Sequence, residues 1–140
     1  MKTLRFVAVT IAALMAVAAV QSQAIRMRAT IPFNFQVNGT TLPAGNYDLT
    51  RVDPIGSALQ MASYDAKASV MFVSNVETSN RPSTKSKLVF HRYGNDYFLS
   101  EIWTAGDNRA RKLSRSPEEA HWAMTQPQEK SEVTLYADLR

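Results

Sequence analysis

Lys87-Leu88-Val89-Phe90-His91-Arg92-Tyr93, then Gly94-Asn95-Asp96, then Tyr97-Phe98-Leu99-Ser100-Glu101-Ile102-Trp103, is two apolar-rich runs around a turn, the pattern of a β-hairpin. Large side chains occupy both alternating faces, with Leu88 and Phe90 opposite Val89 and Tyr93, so neither face can be left to water. The hairpin is therefore expected at the centre of a sheet that is covered on both sides.

Further strands are expected upstream. Ile31-Pro32-Phe33-Asn34-Phe35-Gln36-Val37 alternates apolar and polar residues at period two, and Pro32, which has no N–H to give a ladder, marks it as an edge strand or a strand start. Asn38-Gly39 tolerates the positive φ of a tight turn, and Leu42-Pro43-Ala44-Gly45 reads as a second turn. A strand over residues 46–52, with Tyr47 and Leu49 on one face, ends at Asp53-Pro54-Ile55-Gly56, which has the residue types of a type I turn. Residues 58–63 and 69–76 give two more strands, and the Pro-containing polar stretch 77–86 is a loop. After the hairpin, Ser116-Pro117-Glu118-Glu119 has a capping Ser, Pro at the first helical position and two acids at the positive end of the dipole. That helix should end near Met124 and pack Ala120, Ala123 and Met124 on the sheet, with Trp122 partly covered. A last strand, 132–138, buries Val133 and Leu135. The expected fold is all-β, an antiparallel sandwich or small barrel of about seven strands with one C-terminal helix.

The N-terminus reads as a signal peptide over residues 1–24, leaving a single β domain over 25–140. Lys2 and Arg5 give a positive start, residues 6–20 carry no charge, and Ser22-Gln23-Ala24 supplies small residues for cleavage. About 15 apolar residues fall short of the roughly 20 that span a bilayer, so no membrane span is expected in the mature chain. With no Cys there is no lipid acceptor and no disulfide. The protein is expected to be exported, to the periplasm or the extracellular space. Lys2 and Arg5 fall in the leader, so the mature part holds fourteen basic against twelve acidic residues. A net +2 is a weak argument for a polyanionic partner.

Three segments carry a resemblance: Pro32-Phe33-x-Phe35, Leu42-Pro43-Ala44-Gly45-x-Tyr47, and Ser86-Lys87-Leu88-Val89-Phe90-x-Arg92-Tyr93-Gly94 with Tyr97-Phe98-Leu99 and Trp103. On them the chain resembles an uncharacterised family of small exported bacterial β proteins. The motifs are of packing and turn types, and the resemblance implies no functional residue.

Chemistry-bearing motifs are sparse. His91 and His121 are the two histidines, without the spacing of a metal site, and no Gly-rich phosphate cradle suggests a cofactor. His91 and Glu101 can approach across the hairpin, the one hydrolase arrangement available, although His91 reads first as a hydrogen-bonded strand residue. No catalytic residue is assigned. Arg109, Arg111, Lys112 and Arg115 form the one dense basic run, placed where a loop could present it to an envelope protein or an anionic surface. No aromatic residues interleave with it, which argues against nucleic acid. Asn38-Gly39-Thr40 matches a glycosylation acceptor, but the turn explains it. An outer-membrane barrel needs strands of about 9 to 11 residues, longer than those here. The sequence thus points to a non-catalytic envelope or extracellular protein acting by binding or structural association. The alternative is a carrier of a small apolar ligand in a lipocalin-like barrel. The large residues expected inside, among them Phe33, Phe35, Tyr47, Phe72, Phe90, Phe98 and Ile102, oppose it because they fill the volume a ligand would need.

Overall fold

The computed structural model describes residues 26–139. Residues 1–24, read as a signal peptide, lie outside the described residues. In chain order the elements are β1 (Arg26–Ile31), β2 (Phe35–Val37), β3 (Thr40–Leu42), β4 (Gly45–Arg51), β5 (Ala58–Ser63), β6 (Ala68–Val73), β7 (Asn75–Thr78), β8 (Lys87–Tyr93), β9 (Asp96–Trp103) and β10 (Arg109–Lys112). They are followed by helix α1 (Pro117–Thr125), a 3-10 turn (Pro127–Glu129), β11 (Lys130–Tyr136) and β12 (Asp138–Leu139). The first sheet has the order β12-β1-β4-β5-β6, and the second runs β11-β8-β9-β10-β7 with β2 and β3 joined at β9. The architecture is an all-β sandwich with a C-terminal helix and no closed barrel.

The β8–β9 hairpin sits inside the second sheet, with β11 on one side and β10 and β2 on the other. Leu88, Phe90, Leu99 and Ile102 belong to the core shared with the first sheet. Val89, Tyr93 and Phe98 are also buried, on the opposite face. Strict alternation cannot send both Leu99 and Ile102 inward, since they are three residues apart. A bulge resolves this: Phe90 pairs with Leu99 but Val89 with Glu101, so Ser100 is the extra residue. The sequence expectation that Phe98 and Ile102 share one interior fails for the same reason. Phe98 packs edge-on against Tyr93, with 5.9 Å between centroids, apart from the main core cluster.

In the first sheet Met27, Ala29, Ile31, Tyr47, Leu49, Leu59, Met61 and Phe72 point to the core. The sheet's outer face carries polar pairs such as Arg28–Asp48 at 2.6 Å and Thr30–Asn46 at 2.7 Å. Edge-to-face rings bind the two layers: Tyr47 meets Phe35 at 5.2 Å, Phe35 meets Phe90 at 5.6 Å, and Phe90 meets Phe33 at 5.1 Å. The Tyr47 hydroxyl donates to the Pro43 carbonyl at 2.5 Å. The Leu42–Tyr47 motif is thus a turn fastened by its own aromatic residue.

Twice the chain passes from one sheet to the other within a single residue. The run 69–76, expected as one strand, breaks at Ser74 into β6 of the first sheet and β7 of the second. Buried Ser74 holds the corner by donating from its amide to the Ser57 carbonyl at 2.9 Å. On the opposite side β11 passes into β12 at Ala137, whose amide donates to the Ser86 carbonyl at 2.9 Å. Such corners are how strands of stacked sheets change layer.

Backbone chemistry accounts for one further difference and for two turns that form as expected. The strand expected over 31–37 is interrupted at Pro32–Asn34, and the first ladder lies earlier, at Arg26–Ile31. Pro32 ends β1 because it cannot donate. At Asn38-Gly39 both φ values are positive, +48° and +83°, as the tight turn requires. The Asp53–Gly56 turn closes by the Gly56 amide donating to the Asp53 carbonyl at 3.2 Å.

Candidate functional site

Under α1, on the outer face of β8 and β9, three polar side chains meet. The His91 Nδ1 lies 2.6 Å from Glu119 Oε1, and its Nε2 lies 3.1 Å from Ser100 Oγ. Glu119 is 4% exposed and Ser100 8%. Each reaches the cluster for a local reason. Ser100 is the bulged residue of β9, His91 is the outward neighbour of core residue Phe90, and Glu119 sits in the first turn of α1. Ser116 caps that turn, its Oγ accepting from the Glu119 amide at 3.2 Å. Glu132 Oε1, exposed on the neighbouring β11, stands 3.8 Å from Nε2.

With Nδ1–H donated to the Glu119 carboxylate, neutral His91 presents Nε2 as an acceptor for the Ser100 hydroxyl. A protonated ring instead donates from both nitrogens. Tyr93 lies alongside, buried, its hydroxyl without a hydrogen-bond partner among the described residues. Burial first, then the Glu119 charge, raises its pKa above 10.0, and Arg115 partly offsets the rise.

The helix therefore docks differently from its sequence expectation. Glu119 is its buried residue, and Met124 is exposed. His121 is exposed, as expected. The expected partner Glu101 goes elsewhere, accepting from the Trp103 indole at 2.9 Å and lying 3.8 Å from Lys112 Nζ. Ser116-x-x-Glu119 has the spacing of a capping box, but the Glu119 carboxylate that such a box would return to the Ser116 amide goes to His91.

The basic run is not one loop-borne patch, because residues 109–112 form strand β10 and alternate between faces. Arg109 is paired bidentately with Asp107 at 3.0 and 3.1 Å. Lys112 faces outward, 2.8 Å from Glu77. Arg111 is 9% exposed, pairs in register with core residue Ile102, and donates from Nη1 to the Gly56 carbonyl. Arg115 is exposed in the segment before α1.

Between the sheets at the Arg111 end lies a cavity of about 20 Å³, room for about one water. Among the described residues no three His, Asp or Glu side chains are grouped to hold a metal ion, and no helix is long and apolar enough to cross a membrane. No protein-family model, no curated protein and no solved structure matches the chain.

Proposed function

We propose that the chain is an exported, non-catalytic protein of the periplasm or extracellular space that acts by binding or structural association with another envelope protein. The observation that carries this reading is the β6 edge of the first sheet, as it stands among the described residues. There β6 turns Met71 and Val73 outward, 63% and 67% exposed, beside a backbone edge with which no described strand pairs. Natural proteins blunt such edges with charge or proline, and β6 has neither. A partner's extended segment gains main-chain hydrogen bonds from that edge and apolar contacts from those side chains. The test is a photo-crosslinker at position 71 in the protein as its own cells export it. A discrete protein adduct, lost when Val73 is replaced by Lys, supports the reading; no adduct above that from a crosslinker at the exposed Tyr64 contradicts it.

A second reading is favoured by the order Ser100–His91–Glu119, which is that of nucleophile, base and orienting carboxylate in acyl hydrolases. Against it, the serine is almost wholly covered, and a buried Glu–His–Ser chain also serves simply to fasten a helix to a sheet. A serine-directed fluorophosphonate separates the two. An adduct on Ser100 favours a hydrolase, and an unlabelled protein leaves the cluster as a clamp.

A further inference from the structure

We propose that the end of the sandwich between Arg51 and Arg111 is a binding site for a small oxyanion, a carboxylate or phosphate group. The cavity there is lined by both arginines, by Thr50 and Thr104, and by an apolar floor that includes Leu49 and Ile102. Arg111 is more than nine-tenths buried, yet among the described residues its one hydrogen bond is to a neutral carbonyl, that of Gly56. Neither arginine forms an ion pair with a described carboxylate.

The acids whose fields reach Arg111 are Asp107 and Asp53, and both are engaged elsewhere. Asp107 is held by Arg109, and Asp53 accepts from the Ser57 hydroxyl at 2.8 Å, the Ser57 amide at 3.2 Å and the Ala58 amide at 3.1 Å. Burial, together with the positive charges of Arg109 and Arg51, lowers the Arg111 pKa from its usual value. A guanidinium so placed lacks negative charge, and its planar fork matches the two oxygens of a carboxylate or phosphate.

Gly56 makes the approach possible. A Cβ there would stand 2.9 Å from Arg51 Cδ and 3.1 Å from an Arg111 terminal nitrogen, pushing both side chains out of place. The cavity is partly open and itself holds about one water, so an anion seated at its mouth can send one oxygen inward while a chain of carbons cannot enter, and the site is distinct from an apolar carrier pocket.

Isothermal titration of the purified protein with inorganic phosphate and with acetate, at ionic strength fixed by sodium chloride, tests the proposal. Saturable one-to-one binding of at least one of them is expected, weakened about tenfold or more by Arg51→Gln and unchanged by Arg109→Gln. Tighter phosphate binding marks a phosphate group as the natural ligand, and tighter acetate binding marks a carboxylate. Arg111→Gln should abolish binding, and Arg51→Gln decides the matter if that variant does not fold. No saturable binding of either anion, or equal weakening by Arg109→Gln, overturns the site.

Discussion

Glu119 decides how the helix meets the sheet. Its carboxylate is buried and gives itself to His91, so removing it leaves a histidine facing a covered gap. Glu119→Ala should cost about 3 kcal/mol in denaturant titration, while exposed Glu118→Ala should stay within about 0.5 kcal/mol. The cap at Ser116 was legible from residue types. The destination of Glu119 was not, because its partner is 28 positions away on another element and sequence offers Glu101, one strand across, as the nearer choice. Asp53 gives a residue-scale pH dependence. Burial raises its pKa, but hydrogen bonds from Ser57, Ala58 and Gly56 outweigh this and hold it below 3.8. The unfolded chain then takes up the proton first as pH falls. The stabilisation is complete above 3.8 and is lost as pH drops through the lower folded value. Asp53→Asn should flatten the acid side of a stability–pH curve, and an unchanged slope would contradict the assignment.

Strand β10 turns a run of like charges into three different environments. Arg109→Gln and Lys112→Gln, at exposed or half-exposed pairs, should each shift stability by no more than about 1 kcal/mol. Arg111→Gln should cost about 1 to 3 kcal/mol, because it leaves the buried Gly56 carbonyl without its donor. Equal effects at all three in urea titration would mean that the run is a uniform surface patch. Strand existence was legible where apolar residues alternated, as in β4 and β5, and where apolar runs flanked a turn, as in β8 and β9. Three features were hidden. The Ser100 bulge leaves no mark in a run that is apolar on both faces. The corner at Ser74 lies within an uninterrupted β-forming stretch. The charged alternation of Arg109–Lys112 resembles a solvated loop, because the one inward residue of its kind is an arginine. The helix start was legible too, and Ser116→Ala should cost about 1 kcal/mol through its lost cap.

For the whole molecule, the two sheets share one aromatic core, and on each side of the sandwich the chain crosses from one layer to the other. That leaves β6 and β7 as edges on one side and β11 and β12 on the other, while β8 and β9 lie in the middle with the first sheet beneath and α1 above. Local opening should follow this order, since edge strands with exposed hydrogen bonds open at lower free energy than covered central ones. Native-state amide hydrogen exchange, residue by residue, tests the arrangement most directly. The slowest amides should be those of β8 and β9 that donate within the second sheet, with β6, β7 and β12 exchanging orders of magnitude faster. Exchange of the β8–β9 amides as fast as those of the edge strands would contradict a central hairpin buried on both faces.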